Sequence, residues 1–233
     1  MTAEGYFEHA RVELLDLFTR APRRLLDVGC GAGATSALIK TRWPGTTAIG
    51  LEVVPEAAEH ARARVDRVIC ASAETVDFAR EEIGAIDTVV LADVLEHLVD
   101  PWSFLRRLRP VLTPDAVLIV SIPNAANLWL IEELANGRFD YTDEGLLDRT
   151  HLRFFTRGTI ERMFAETGYR IEALKRIDDG RVDDITMHRL LGIMLPRRPL
   201  GSLRGRRVTV HGVDDEAYED LRTSQFAIRA TPA

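Results

Sequence analysis

A turn with glycine at three alternate positions follows a short apolar run near the start of the chain. Residues 25–28 predict a buried strand, and the glycines directly after it are Gly29, Gly31 and Gly33. Glycine lets a ligand approach the bare backbone closely. A helix predicted from Ala34 would point its first N–H groups back at that ligand. A strand, a glycine turn and a helix in this order predict a site for a nucleotide-like cofactor.

Two carboxylates near the turn indicate which cofactor it holds. Gly29, Gly31 and Ala34 satisfy the G-x-G-x-x-G/A pattern, which keeps a nicotinamide cofactor open. Asp27 lies two residues before the first glycine, where a carboxylate can bind an ammonium group and would repel a pyrophosphate. Glu52, at the end of the second predicted strand, can bind both hydroxyl groups of a ribose, which nicotinamide and adenosine cofactors share. Asp27 therefore favours a cofactor that carries an amino group.

Residues that could transfer a proton lie later in the chain. His151 is the candidate base, because the pKa of histidine lies near neutrality, and Asp148 or Thr150 could orient its ring. The alternative is that His151 only hydrogen-bonds to the backbone. Asp93, which follows the fourth predicted strand, is a second catalytic candidate and could equally cap the helix after it. His97 is expected to pack beneath the cofactor.

Neither metal nor thiol chemistry is predicted. Four side chains in two distant segments can bind a metal, and they belong to Glu96, His97, Asp148 and His151. Their spacing matches no compact ligand motif such as His-Glu-x-x-His, so we expect no metal, although the two segments could converge in space. Cys30, within the glycine turn, is expected to be a small packing residue, since nothing near it forms a Cys/His pair.

The composition restricts the class of protein. With 30 basic and 36 acidic residues, the 233-residue chain carries a formal net charge of −6, which argues against a general nucleic-acid binder. Two cysteines predict a reducing compartment rather than a disulfide framework. No apolar run approaches the ~20 residues that span a membrane, and the N-terminus lacks a signal-peptide pattern. We therefore expect a cytoplasmic protein without stable membrane insertion, either a monomer or a homodimer.

Short apolar strands alternate with helical patterns over the first half of the chain. Strands are predicted at 25–28, 47–51, 67–70, 88–92 and 117–122. Helices are predicted between them, at 34–42, 55–65, 73–83 and 101–112. This alternation predicts right-handed crossovers and an α/β fold with a Rossmann-like, doubly wound, mostly parallel sheet. A ligand of such a sheet binds at the carboxyl ends of its strands.

Additions to this core are expected within a single domain that covers residues 1–233. Residues 1–22 predict an N-terminal helical cap, since residues 7–19 have helix-like apolar spacing. Residues 124–155 have no strand pattern and contain several aromatic residues, which predicts a lid inserted after the fifth strand. Residues 181–219 form a variable segment with a short helix at 185–195.

The end of the chain completes the predicted sheet. A helix is expected to begin after Thr156 as N-cap and to reach Thr167, with Gly168 as its C-cap. Closing strands are predicted at 169–176 and 225–230. A basic cluster in the variable segment is interpreted as a solvated loop, although it could also contact an anionic substrate or a membrane surface. It consists of Arg197, Arg198, Arg204, Arg206 and Arg207.

Several of these motifs together resemble the class I S-adenosylmethionine-dependent methyltransferases. Within that class, the chain looks most like the branch with the ubiquinone-biosynthesis O-methyltransferases and many small-molecule methyltransferases. The resemblance covers residues 24–176 and rests on LLDVGCGAG, LEVV, LADVLEHLVDPWSFLRRLRPVL, VSIPN and HLRFFTRGTIERMFAETGY. It implies a cofactor site formed by Asp27, Gly29, Cys30, Gly31, Gly33, Glu52, Val53, Ser72, Ala73, Ala92, Asp93 and His97.

The resemblance also implies a role for each part of this site. Asp27 and the glycine turn would hold the methionine part of S-adenosylmethionine, and Glu52 would hold its ribose. Ser72 and Ala73 would flank the adenine, where many relatives have an acidic residue instead of Ser72. Asp93, together with Ala92, would lie beside the transferring methyl group.

The function expected from the resemblance is methyl transfer from S-adenosylmethionine to a small molecule. A hydroxyl oxygen is favoured as acceptor over nitrogen or carbon, and a sugar, a polyketide and a quinol-like compound are all open. The product formed from the donor would be S-adenosylhomocysteine. Two other classes stay open: a nicotinamide-dependent oxidoreductase and a non-catalytic module that binds the cofactor.

Overall fold

The computed structural model describes residues 10–180, Val182, 201–204 and 209–233. Within these residues the strands, in chain order, are β1 (Arg24–Val28), β2 (Thr47–Glu52), β3 (Arg67–Cys70), β4 (Ile86–Ala92), β5 (Leu112–Pro123), β6 (Tyr169–Ile177), β7 (Gly201–Arg204), β8 (Thr209–Val213) and β9 (Gln225–Pro232). The α-helices are α1 (Ala34–Arg42), α2 (Pro55–Ala61), α3 (Pro101–Leu108), α4 (Leu128–Ala135), α5 (Arg157–Glu166) and α6 (Asp215–Arg222).

Seven strands form one sheet in the order β3-β2-β1-β4-β5-β9-β6. The five strands from β3 to β5 are parallel, and β9 is antiparallel to both of its neighbours. This arrangement confirms the predicted Rossmann-like α/β fold with a mostly parallel sheet. Strands β7 and β8 form a separate antiparallel pair.

Helices cover both faces of the sheet, so the central strands are apolar along nearly their whole length. On one face, α3 and α5 pack on β-strand side chains such as Leu26 and Val120. On the other face, a 3₁₀ helix (Val12–Leu17) and α1 pack on a second set that includes Leu25 and Val90. Each helix in the described part of the chain is too short or too polar to cross a lipid bilayer.

The predicted strands are all present, but the helical predictions need four corrections. Of the N-terminal helix predicted over 7–19, the part that the structure describes contains only the short 3₁₀ turn Val12–Leu17. Helix α2 ends at Ala61 and not at residue 65. Helix α3 ends at Leu108 and not at residue 112, and the 3₁₀ turn Arg109–Val111 follows it. Pro110 in this turn has no N–H group for the hydrogen bonds of an α-helix. The fourth correction concerns residues 73–83.

Residues 73–83 form consecutive turns and not the predicted helix. The guanidinium of Arg107 donates to the carbonyl oxygens of Ala73 (2.7 Å) and Val76 (3.0 Å), which a helix would use for its own N–H groups. The Asp77 carboxylate accepts hydrogen bonds from the N–H groups of residues 79 and 80, which favours a turn. Val76 is nevertheless buried in the core. Its apolar side chain therefore indicates that the segment packs on the core, and not that it is helical.

The segment 124–155 is not entirely irregular, because it contains helix α4 near its start. Helix α5 begins as predicted after Thr156, which forms a capping box with Thr159, and Gly168 follows its end with a φ of +80°. The predicted helix at 185–195 and the arginine side chains between 197 and 207 lie outside the described residues.

Candidate active site

A cavity of about 810 Å³ opens at the carboxyl ends of the parallel strands. It is lined by all but one of the predicted cofactor and catalytic residues, namely Asp27, Gly29, Cys30, Gly31, Glu52, Val53, Ser72, Ala73, Ala92, Asp93, His97 and His151. The exception is Gly33, which is the N-cap of α1 in a left-handed conformation with φ +80°. A Cβ at Gly33 would lie 3.3 Å from Cβ of Arg64. Gly33 therefore packs against Arg64 and supports the turn without lining the cavity.

The glycine turn is tied to the end of β2 by hydrogen bonds. The N–H groups of Gly29 and Cys30 donate to the carbonyl oxygen of Leu51, at 2.7 and 3.2 Å. The N–H of Gly31 donates to Oε2 of Glu52 at 2.9 Å. Gly29 has φ +65°, and a Cβ there would lie only 2.9 Å from a methyl carbon of Val94. Only glycine fits this position without a shift of its neighbours.

Asp27 and Glu52 place two buried carboxylates beside the cavity. Asp27 accepts a hydrogen bond from Oγ of Ser36 at 2.6 Å, and Glu52 accepts one from the N–H of Val54 at 2.8 Å. Burial and, to a smaller extent, the negative charge of Glu52 raise the pKa of Asp27 to about 6, although the Ser36 hydrogen bond opposes this. A cationic ligand would stabilise the charged form of Asp27, whereas a pyrophosphate would face two carboxylates.

Cys30 packs its thiol against β2. A Cβ at Gly50 would lie 2.6 Å from Sγ of Cys30, so the glycine in β2 makes room for the thiol. Burial and the charges of Asp27 and Glu52 raise the pKa of Cys30 well above its usual range. The thiol therefore stays protonated at neutral pH, as a packing residue rather than a nucleophile does.

Ser72 and Ala73 follow β3 and reach the cavity from its side. The Ser72 hydroxyl accepts a hydrogen bond from the N–H of Glu74 at 3.2 Å. Glu74 itself lines the cavity, and its Oε1 accepts from the N–H of Asp100 at 3.0 Å. An acidic side chain therefore lies two residues after the position where the family resemblance leads one to expect it.

Asp93 follows β4 with a φ of +55°, which is unusual for a residue other than glycine. Its N–H donates to Oγ of Ser121 at 3.0 Å, and its Oδ1 accepts from the same hydroxyl at 2.9 Å. Oδ1 also accepts from the Gln225 amide, and Oδ2 forms an ion pair with Arg11. Both carboxylate oxygens are thus engaged, which suits a residue that fixes the shape of the cavity better than one that takes a proton.

Two histidines meet at the side of the cavity formed by residues 144–151, which belong to the segment predicted to be a lid (124–155, the lid segment below). The rings of His97 and His151 lie 4.8 Å apart between centroids, at an interplanar angle of 66°. Nδ1 of His151 lies 3.2 Å from the carbonyl oxygen of Leu146. The predicted orienting residue, Thr150, instead contacts His97, whose Nδ1 lies 3.2 Å from the Thr150 carbonyl and 3.1 Å from its hydroxyl. The prediction that Asp148 or Thr150 orients His151 was therefore wrong.

The tautomer of each histidine follows from these partners. A carbonyl oxygen can only accept a hydrogen bond, so Nδ1 carries the proton in both rings and the lone pair lies on Nε2. Burial lowers the pKa of His97. Burial and the neighbouring His97 lower the pKa of His151. Both rings are therefore neutral at physiological pH, with the lone pair on Nε2.

Among the cavity residues that were not predicted as part of the site, three bear on its chemistry. Arg11 and Gln225 contact Asp93 from 82 and 132 residues away in the sequence, so no local pattern could have indicated them. Glu96 was considered only for its ability to bind a metal. It is fully buried, and burial raises its pKa to about 8.

Comparison with known proteins identifies the family. A family model described as "Methyltransferase domain" matches residues 3–174. A trans-aconitate 2-methyltransferase of Methylobacterium radiotolerans is 39% identical over 104 residues, which are 45% of this chain and 39% of that protein. A ubiquinone biosynthesis O-methyltransferase of Xanthomonas euvesicatoria pv. vesicatoria is 35% identical over 106 residues, which are 45% and 44% of the two chains. The chain thus spans less than half of the length of these curated relatives.

Solved structures show the same fold. A SAM-dependent methyltransferase from Archaeoglobus fulgidus superposes with a TM-score of 0.63 at 17% identity, over 98% of this chain and 94% of that one. A plantazolicin methyltransferase in complex with SAH gives a TM-score of 0.58 at 16% identity, over 99% and 82% of the two chains. The chain belongs to the methyltransferase domain family and has the fold of the class I S-adenosylmethionine-dependent methyltransferases.

Proposed function

We propose that this protein transfers a methyl group from S-adenosylmethionine to an oxygen atom of a small-molecule acceptor. The observation that carries the proposal is the pair of buried carboxylates, Asp27 and Glu52, beside a cavity of about 810 Å³ in a methyltransferase-family fold. A ligand with a sulfonium and an ammonium group complements these charges. Asp27 opposes the alternative of a nicotinamide dinucleotide, whereas Glu52 could bind the ribose of either cofactor.

The residues present fit this donor. Asp27 would bind its ammonium group, Glu52 its ribose hydroxyls, and Ser72 and Ala73 would border the adenine. When bound, S-adenosylmethionine supplies an electrophilic methyl group on a positively charged sulfur. The protein would contribute mainly alignment and the exclusion of water, because an in-line displacement needs the acceptor oxygen opposite the departing sulfur.

A hydroxyl acceptor must lose its proton, and the chain offers Nε2 of His151 to receive it. This nitrogen carries the free lone pair, and the depressed pKa of His151 keeps the ring neutral at physiological pH. The oxygen lone pair would then form the new O–C bond while the S–C bond breaks and the sulfur keeps the bonding electrons. Asp93, held by Arg11, Ser121 and Gln225, would position the acceptor at the end of β4.

Three aromatic side chains next to His151 support an acceptor with an apolar portion. Phe154 lies 6.3 Å from His151 between ring centroids, and Phe139 lies 5.6 Å from Phe154 and 5.4 Å from Tyr141. All three rings are exposed. One relative is named as an O-methyltransferase, which also favours oxygen. A quinol-like, polyketide or sugar hydroxyl fits these features, and the two free cysteines agree with a cytoplasmic enzyme.

Calorimetry and a transfer assay test the proposal. S-adenosylhomocysteine should bind to the wild-type protein, NADH should not, and Asp27→Ala should lose the binding. Radioactive methyl transfer to a panel of phenols, sugars and hydroxy acids should identify an acceptor. His151→Ala should lower turnover while the affinity for S-adenosylhomocysteine stays nearly unchanged. Binding of S-adenosylhomocysteine without transfer to any acceptor would instead support a non-catalytic cofactor-binding module.

A further inference from the structure

We infer that Glu96, His97 and His151 form a binding site for a divalent transition-metal cation at the acceptor side of the cavity. Each of the three residues offers one ligand atom, and these atoms all lie within 4.8 Å of one another. All three residues line the cavity that the methyl donor would occupy. The inference rests on the proposed function for its role in catalysis, but the site itself stands on the geometry alone.

The strongest support comes from the carboxylate of Glu96. The residue is 1% exposed, and among the described residues neither of its side-chain oxygens has a hydrogen-bond partner. A buried carboxyl group without hydrogen-bond partners is costly whether or not it is charged, and proteins compensate such groups by pairing or by metal coordination. Two other acidic groups of the cavity, Asp27 and Asp93, are each hydrogen-bonded. A cation beside Glu96 would supply the missing partner.

The two histidines are arranged as metal ligands are in other proteins. A ligating histidine typically donates its second ring N–H to a carbonyl or carboxylate, which fixes the ring and its tautomer. His151 donates to the carbonyl of Leu146, and His97 donates to Thr150. The Thr150 hydroxyl in turn donates to Oδ1 of Asp148 at 2.6 Å. If Nδ1 donates in each ring, the Nε2 atoms carry the lone pairs that a cation would bind.

Main-chain hydrogen bonds hold the two halves of this site together. Glu96 and His97 lie on a 3₁₀ turn (Leu95–His97), while His151 belongs to the returning lid segment. The carbonyl oxygen of Glu96 accepts from the N–H groups of Leu152 and Arg153, at 2.8 and 3.0 Å. The backbone thus fixes the three side chains relative to one another before any ligand binds.

Two imidazole nitrogens and one carboxylate oxygen favour a cation such as Zn²⁺ or Co²⁺ over Mg²⁺, which prefers oxygen ligands. Three protein ligands leave a coordination position open for the acceptor. A hydroxyl bound there would lose its proton to water, because a cation lowers the pKa of an oxygen ligand. His151 cannot both bind a cation and accept that proton. With a cation bound, water would therefore take the place of His151 as the proton acceptor. The methyl donor and the oxygen that accepts the methyl group stay as in the proposed function.

Metal binding by the untagged, chelator-treated full chain tests the site directly. We expect one equivalent of Co²⁺ to bind and to give a visible absorption band. Zn²⁺ should bind with the same stoichiometry. Glu96→Gln, which removes the charge but keeps the shape, and His97→Ala should each weaken Co²⁺ binding more than about tenfold. The matched control is His60→Ala, because His60 is an exposed histidine on α2. Its Co²⁺ binding should equal that of the wild-type protein.

The possible outcomes separate this inference from the proposed function. Absent Co²⁺ binding, binding unchanged in Glu96→Gln, or displacement by an equal concentration of Mg²⁺ would overturn the site. The circular dichroism spectrum and the melting temperature of each variant show whether it is folded. If the chelator-treated enzyme transfers methyl groups at the full rate, the cation has no role and the histidine base stands. If Co²⁺ binds as expected but S-adenosylhomocysteine does not, the metal site stands and the proposed function fails.

Discussion

Asp27 combines a negative charge with a position from which water is largely excluded. Burial lifts the pKa of Asp27 to about 6, so the residue changes its charge within a range that is accessible to experiment. Its interaction with an ammonium group depends on that charge. Binding of the proposed cofactor should therefore follow the ionisation of this one carboxyl.

The first prediction concerns the affinity for S-adenosylhomocysteine as a function of pH. The affinity should be constant above about pH 7 and should fall by up to about tenfold per pH unit below 6, as Asp27 becomes protonated. Calorimetry between pH 5 and pH 8 measures this dependence. Asp27→Asn should bind weakly at every pH. The control is Asp16→Asn, because Lys175 lowers the pKa of exposed Asp16 and its titration lies below this range. An affinity that does not change between pH 5 and 7 would contradict the role of Asp27.

A second prediction concerns the stability of the protein without cofactor. Because the pKa of Asp27 is higher in the folded state than the ordinary value of 3.8, its contribution is greatest below pH 3.8. That contribution is lost as the pH rises to about 6, at up to about 1.4 kcal/mol per pH unit. Asp27→Asn should remove this part of the pH dependence. Urea unfolding of both proteins between pH 4 and 7 measures the difference, and parallel stability curves would refute it.

At the residue scale, sequence reasoning succeeded where a side chain follows a strand directly. Asp27 and Glu52 could be placed because the ends of neighbouring parallel strands meet at one edge of a sheet. The predicted partner of His151 was wrong, because residues 148–151 form a turn in which the Asp148 carboxylate bonds to the Thr150 hydroxyl, while the His151 ring contacts the carbonyl of Leu146. Arg11 reaches Asp93 from a segment 82 residues away, and no periodicity encodes such a contact.

At the scale of elements, β1, β2 and the glycine turn fit together through the contact between Gly50 and Cys30. A Cβ at Gly50 would lie 2.6 Å from Sγ of Cys30 but 3.4 Å from its Cβ. Gly50→Ala should therefore destabilise the fold by about 1–3 kcal/mol through overpacking. Cys30→Ala in the same chain should restore most of the loss, because the sulfur is gone. Chemical unfolding of the two single variants and the double variant measures the coupling, and purely additive effects would refute the contact.

The capping box of α5 gives another test at this scale. Oγ1 of Thr159 accepts the N–H of Thr156 at 2.8 Å. Thr159→Val keeps the shape and removes this acceptor, so it should cost about 1 kcal/mol. Thr41→Val is the matched control, since the exposed Thr41 hydroxyl bonds only to a carbonyl within α1. Thermal unfolding should distinguish the variants, and equal melting temperatures would show that the box contributes nothing.

Among the elements, strands were easier to predict than helices. A strand buried on both faces is a continuous apolar run, and all the predicted strands are present. Residues 73–83 carry apolar residues at helical spacing, yet Arg107 from α3 binds two of their carbonyl oxygens. The Arg107 side chain thus binds carbonyl oxygens that would otherwise accept the hydrogen bonds of a helical turn. The end of α3, by contrast, follows from Pro110 in the local sequence.

At the scale of the whole molecule, the last strand in sequence lies inside the sheet. Strand β9 separates β5 from β6 and pairs with both. Its side chains Phe226, Ile228 and Ala230 belong to the same apolar cluster as Leu26 of the first strand. The main sheet is therefore complete only when residues 225–232 are in place, so we expect the sheet to unfold in one cooperative step.

Phe226→Ala tests this cooperation across the sheet. Phe226 is fully buried on β9, and its removal should lower the free energy of unfolding by about 3–5 kcal/mol, a large share of the ~5–15 kcal/mol typical of a whole domain. Circular dichroism and tryptophan fluorescence should give coincident transitions at lower denaturant, since Trp43 and Trp102 pack on opposite faces of the sheet. Phe139→Ala, an exposed phenylalanine of the lid segment, is the matched control and should leave stability nearly unchanged. Separate transitions for the two probes would mean that the sheet unfolds in parts and that β9 does not couple its halves.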